Sequence, residues 1–262
     1  IFGQRFGAAG QPQGNEFQVN SFTTGVQRAP AVAADGLGNF IVVWTSDGAD
    51  GASWGVFGQR FSSTGMPQGN EFQVNSFTTG YQWVPAVAAD ASGDFVVVWP
   101  SSGQDGPGWG VFGQRFDTTG TPQGNEFQVN SYTTGDQLYP RVATNSAGDF
   151  VVVWSSAPQD GSSDGIFGQR FAASGLPQAN EFQVNTYTSG SQSRPAVAAD
   201  AAGSFVVTWS SNLQDGSFGG IFGRRFNSAG APLGNDFQVN VFTTGGQQNP
   251  AVAADGAGDF VV

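Results

Sequence analysis

Apolar residues fall along this chain in short runs that return at a fixed spacing. FIVVW at residues 40–44 is followed by FVVVW at 95–99 and 150–154, FVVTW at 205–209 and FVV at 260–262. These runs lack the polar alternation of a strand with one wet face, and they lack the 3.6-residue spacing of an amphipathic helix. A strand buried on both faces fits them best. Three other stretches recur between the runs: small residues at 30–34 (PAVAA), VFGQRF at 56–61 and EFQVN at 71–75. Turn chemistry separates them, as in Asp35-Gly36-Leu37-Gly38, a long Gly/Ser/Asp loop up to Gly55, and Gly65-Met66-Pro67-Gln68-Gly69. The pattern predicts four short strands per unit and no helix.

The units start at residues 1, 56, 111, 166 and 221, and 20 of the 42 positions present in all five are identical. One supersecondary unit is therefore repeated. Four antiparallel strands in about 55 residues predict an all-β chain, a β-propeller whose small-residue first strand lies nearest the axis. The sequence opens at a third strand and stops inside a second one. Residues 250–262 and 1–20 are expected to join as a shared closing blade, giving a five-bladed β-propeller in a single domain, 1–262. The rival is a piece of a longer array, because the sequence stops just before the position of Trp44, Trp99, Trp154 and Trp209.

Composition narrows the chemistry. The chain has no histidine or cysteine, and its nine basic residues are all arginine. That excludes thiol and Ser–His–Asp catalysis, zinc fingers and a disulfide framework. A net charge of −11 argues against nucleic acid and anionic membranes as partners. No apolar run approaches the ~20 residues of a membrane-spanning helix, and no basic-then-apolar leader opens the sequence. No cofactor or metal is expected: Asp35 and Asp90, each followed by a Gly three residues on, read as tight hairpins, too sparse for calcium.

Two loops per unit are expected on one face of the disk: the one joining strand four to the next strand one, and the one joining strands two and three. Sugar recognition wants an aromatic ring against an apolar sugar face and carboxylates for its hydroxyls. The second loop offers Asp50 with Trp54, Asp105 with Trp109, and Asp215 with Phe218, while the third copy has Asp160 and then Asp164 in place of the aromatic. The first loop keeps an invariant glutamine (Gln27, Gln82, Gln137, Gln192, Gln247), expected to be buried and bonded to the adjacent blade's backbone. Beside it lie positions that scatter from Trp to Gly, so they are exposed. There Tyr81, Trp83 and Tyr139 form a candidate asymmetric patch. Arg5/Glu16, Arg60/Glu71, Arg115/Glu126, Arg170/Glu181 and Arg225/Asp236 are expected to pair across the outer hairpin.

The phrases GDFVVVW, QDG, GVFGQRF and NEFQVN resemble the tandem repeats of large secreted or surface-attached bacterial proteins. The resemblance covers all 262 residues. It implies an extracellular propeller, often beside other modules, and no catalytic residue. The architecture is also similar to that of tachylectin-type five-bladed lectins, without their repeat sequence. The expectation is a non-enzymatic, secreted or cell-surface module that binds extracellular glycans or surface proteins. The alternative is a structural propeller that spaces or assembles a longer surface protein or filament. A hydrolase is disfavoured, because near-identical copies leave no distinctive carboxylate constellation.

Overall fold

A computed structural model describes residues 1–51 and 53–262; Ala52, in the first long loop, lies outside the described residues. The described residues contain strands and turns but no helix, and so no helix long and apolar enough to cross a membrane. Two short strands, β1 (Phe2–Gly3) and β2 (Phe17–Gln18), pair first. Four antiparallel sheets of four strands follow. The first holds β3 (Gln27–Ala34), β4 (Phe40–Asp47), β5 (Trp54–Phe61) and β6 (Pro67–Gln73). The second holds β7 (Ala86–Ala89), β8 (Phe95–Ser102), β9 (Trp109–Phe116) and β10 (Phe127–Gln128). The third holds β11 (Gln137–Thr144), β12 (Phe150–Ser156), β13 (Gly165–Phe171) and β14 (Phe182–Gln183). The fourth holds β15 (Gln192–Ala199), β16 (Phe205–Ser211), β17 (Gly220–Phe226) and β18 (Phe237–Gln238). The chain ends on a second short pair, β19 (Ala253–Ala254) and β20 (Phe260–Val261).

The second strand of each sheet is buried on both faces, as its unbroken apolar run requires. Every residue of β12 and β16 is buried, and Trp44, Trp99, Trp154 and Trp209 are wholly inaccessible. Each sheet packs on the next through three phenylalanines. Phe95 and Phe116 stack at 4.9 Å, and Phe72 of the preceding sheet tilts against Phe116 at 5.4 Å. The motif glycine of strand three makes room for that third ring: a Cβ on Gly113 would lie 2.8 Å from Cζ of Phe127. Burying such aromatics between sheets is the main stabilising term.

The two short pairs dock in the same way. Phe17 lies 5.3 Å from Phe61 on the first full sheet, and Phe237 of the fourth lies 6.2 Å from Phe260. Each half-blade therefore stays on its own neighbour, and no ladder joins β1–β2 to β19–β20 among the described residues. Strand phase counts the strands of a closing blade, but the rotation between packed blades decides whether its halves meet. The first edge accordingly exposes Phe2 and Val32, each 65% accessible.

The expected outer ion pairs are not formed. The ladder sets Phe72 opposite Gly58, which puts Glu71 level with Gln59, one residue out of step with Arg60 and so on the other face; beyond it a register shift sets Gln68 opposite Arg60. The arginines reach forward one blade instead: Arg60 Nη1 donates to Thr119 O at 2.5 Å, and Arg5, Arg115 and Arg170 repeat the bond to Thr64, Ser174 and Ala229. The carboxylates reach back one blade. Glu71 Oε2 accepts from Ser21 N at 2.5 Å, and Glu126 and Glu181 do the same with Ser76 and Ser131. Among the described residues the one ion pair is Arg224 with Asp236, at 3.8 Å.

Asp35 closes its own turn, its Oδ1 accepting from Leu37 N and Asn39 N at 2.8 Å. Burial raises its pKa, but hydrogen bonds from the Asn39 side chain and the Leu37, Asn39 and Gly38 amides outweigh it and hold it below the ordinary carboxylate value. Asp117 is lowered by hydrogen bonds from the Thr119 hydroxyl and the Thr121 amide. A carboxyl lowered in the folded state stabilises it fully above the unfolded value, near pH 4, and loses that contribution as pH falls through the folded value. The urea midpoint is expected to be level from pH 7 to about 5 and to drop below about 4. In D35N/D117N the drop should be shallower; an unchanged acid limb would contradict this account.

Candidate functional site

The two long loops do meet on one face. Gln82 N, at the start of the second blade's inner segment, donates to Trp54 O at 2.9 Å, and Trp109 N donates to Asp136 Oδ1 at 3.2 Å. Strand alternation then sorts the side chains. Tyr81 and Trp83 point out, 48% and 37% accessible, while Gln82 between them is fully buried. Gln82 Nε2 donates to Thr79 O at 3.0 Å and its Oε1 accepts from Asn75 Nδ2 at 3.2 Å; Gln137 and Gln192 repeat both bonds. Asn75 closes the preceding blade, its Oδ1 accepting from Val56 N at 2.7 Å. The invariant glutamine thus ties one blade to the next through an asparagine side chain, where the sequence led us to expect backbone.

Five residues that precede proline carry positive φ: Ala29 at 52°, Val84 at 43°, Tyr139 and Arg194 at 56° and Asn249 at 60°. This conformation is costly for any residue with a Cβ, most of all for a β-branched one. It is held from the neighbouring blade, where Thr45 Oγ1 accepts from Val84 N at 3.0 Å and Ser155 Oγ from Arg194 N at 3.1 Å. The kink recurs while the side chain it presents changes in every copy.

On this framework one aromatic group assembles. The Arg28 guanidinium lies 4.0 Å from the Trp54 ring centre and 4.6 Å from that of Trp83. Trp83 tilts against Trp109 at 6.2 Å, and Tyr81 stacks on Trp109 at 6.5 Å. Farther round, Arg194 lies 5.8 Å from the Tyr139 ring and donates to Asn249 Oδ1 at 2.5 Å. Trp54, Trp83, Trp109 and Tyr81, from two sheets and three loops, form one run with Arg28 inside it.

The carboxylates expected to face a ligand turn into their own blades. Asp50 Oδ2 accepts from Gln73 Nε2 at 3.4 Å, and Asp105 Oδ2 from Gln128 Nε2 at 3.0 Å and Asn130 Nδ2 at 3.1 Å. Asp160 and Asp215 cap their loops by accepting from Ser162 N and Ser217 N, and the other oxygen of each is buried. Phe218 is 79% accessible and touches no other ring among the described residues. In the third copy Asp164 takes the aromatic position and accepts from Ser191 Oγ at 2.7 Å. Equivalent sugar sites in each copy are therefore not what the fold builds; it builds one asymmetric face. Sequence variation places Arg28 and Arg194 among the exposed loop positions that change in every copy, without marking either as a site residue.

No protein-family model matches the chain, and no curated protein sequence is similar to it. Solved structures are similar. An α-L-arabinofuranosidase from Fusarium graminearum aligns over 93% of this chain and 72% of its own, with TM-score 0.60 and 11% identity. A Penicillium chrysogenum α-L-arabinanase complexed with arabinobiose aligns over 91% and 72%, with TM-score 0.59 and 13% identity. An endo-arabinase from Bacteroides thetaiotaomicron aligns over 89% and 87%, with TM-score 0.52 and 17% identity. The fold is a β-propeller. At these identities the likeness carries the fold alone and no site residue.

It nevertheless corrects the functional expectation. The propellers this chain resembles are glycoside hydrolases, so a non-enzymatic lectin, adhesion or spacer role no longer stands as the reading. The sequence misled because near-identical copies argue against a specialised site only while every copy contributes alike. Here the positions that differ are the ones brought together.

Proposed function

We propose that this propeller is a carbohydrate-active protein that holds an extracellular glycan across the Trp54–Trp83–Trp109–Tyr81 face and cleaves its glycosidic bonds. The observation that carries the reading is the contiguous aromatic run with a guanidinium inside it. Flat aromatic rings match the apolar C–H face of a sugar, and loops on a rigid scaffold are where such contacts are built. The solved propellers of similar fold act on arabinose-containing glycans, which supports a polysaccharide as the substrate class.

Two carboxylates flank Trp109. Asp136 bonds its amide, and Asp105 lies against Gly110, where a Cβ would meet Oδ2 at 2.1 Å. Glycoside cleavage uses such a pair. One carboxylic acid gives its proton to the leaving oxygen as the C–O bond breaks. The other carboxylate assists water, or bonds the anomeric carbon until water replaces it. Asp136 is exposed at the loop tip, and Asp105 is half-buried, its Oδ2 held by Gln128 and Asn130, so that only its other oxygen is left to serve the reaction.

Secretion, membership of a longer repeat protein and the five-blade count belong to the same proposal. The half-blades at 1–20 and 250–262 together amount to the four strands of one further blade.

Reducing-end release from a panel of neutral and acidic polysaccharides tests the activity. We expect turnover that D136N and D105N each lower by at least 10²-fold. W83A is expected to weaken glycan binding by about 1–2 kcal/mol, read by tryptophan fluorescence. Binding without any turnover would remove the hydrolytic half of the proposal, and no binding to any glycan would remove all of it.

A further inference from the structure

The chain has 20 carboxylates against nine arginines, so its overall field repels anions. Most of the arginines are engaged. Arg5, Arg60, Arg115 and Arg170 hold the next blade's turn, and Arg141 donates to Pro140 O at 2.8 Å. Arg194 donates to Asn249, and Arg224 to the Gly234 and Val184 carbonyls. Arg225 is exposed on β17, the third strand of its sheet. Arg28 differs from all of these. It packs against two indoles, and no hydrogen bond or ion pair reaches its guanidinium among the described residues.

That combination has a chemical meaning. A guanidinium stacked on aromatic rings is shielded at its faces, while its N–H donors remain in its plane. Arg28 is exposed, so those in-plane donors are open to a ligand from solvent. A carboxylate matches them in charge and in two-point geometry. Trp83 and Trp109, 6.2 Å apart, offer apolar faces immediately beside it. A ligand that uses both features carries a carboxylate about one sugar ring's width from an apolar ring face.

We propose that the glycan bound here is acidic, a chain of uronic acid residues. Arg28 takes the carboxylate of one residue while the sugar ring lies against Trp83 and Trp109. This rests on the carbohydrate reading above and names its substrate class. It also gives Arg28 a reason to sit on an acidic protein's loop face with its donors free.

Fluorescence titration of the whole chain decides it, because Trp54 and Trp83 both touch Arg28. The ligands are an oligogalacturonate, a neutral arabino-oligosaccharide and a sulfated disaccharide. We expect the oligogalacturonate to bind most tightly and to weaken as salt is raised. R28M should weaken it at least tenfold, and the neutral sugar no more than about twofold. R28K keeps the charge but loses the planar fork, so it should fall between the two. Far-UV circular dichroism and thermal melting of both variants check that the fold is intact; if R28M does not fold, R28K against the native chain carries the comparison. Preference for the neutral or the sulfated ligand, or oligogalacturonate binding that survives both substitutions, overturns the inference and leaves the carbohydrate reading standing. Failure of every ligand to bind overturns both.

Discussion

Replacing Trp154 by alanine is expected to cost about 3–5 kcal/mol of stability, while Trp154→Phe costs less than about 2. Trp154 is wholly buried in the middle of β12, and its cluster draws on two consecutive blades, including Val98 and Val111 from the second and Val129 from the link into the third. Alanine leaves a cavity that close-packed sheets on either side cannot fill. Phenylalanine keeps most of the volume, and the indole nitrogen gives little reason for a larger penalty. Nε1 of Trp154, like those of Trp44, Trp99 and Trp209, is buried without a hydrogen-bond partner, so removing it loses no bond. Urea titration followed by circular dichroism separates the two substitutions. A phenylalanine variant as unstable as the alanine one would mean that the indole makes a contact the structure does not contain.

Gln82→Met is expected to destabilise the chain by about 2–3 kcal/mol and to weaken glycan binding along with it. Methionine fills nearly the same space, so packing changes little. What is lost are the bonds to Thr79 O, Asn75 Nδ2 and Ser101 Oγ, the last two of them buried. Buried polar groups left without partners each cost about 1–3 kcal/mol. Gln82 lies between Tyr81 and Trp83, so slackening it also frees the two exposed rings of the aromatic face. The urea midpoint and the oligosaccharide titration should move together. Full stability with Met at this position would show that the glutamine is not the tie between blades.

The glutamine illustrates what was legible in advance. Its invariance among scattering neighbours marked it as buried and marked Tyr81 and Trp83 as exposed, because alternation along an extended segment is a local property. The outer hairpin shows the opposite case. Arg60 and Glu71 would pair only in a register one residue from the observed one; with Phe72 opposite Gly58 they fall out of step, and each bonds a different neighbouring blade. Sequence spacing measures distance along one hairpin, and a bulge inside it is invisible to composition.

The sequence by itself determined the strands, their turns, the number of units, and a second strand buried on both faces. These follow from residue periodicity and turn chemistry acting over a few residues. Only the tertiary structure decided that no ladder joins the half-blades among the described residues and that Asp50, Asp105, Asp160 and Asp215 fold inward. It alone set Arg28 against Trp54 and Trp83, which stand 26 and 55 positions away in sequence. The physical reason is that such meetings depend on how far one packed blade turns relative to the next. That rotation is set by the rings and methyl groups between the sheets acting together, and no single repeat contains it.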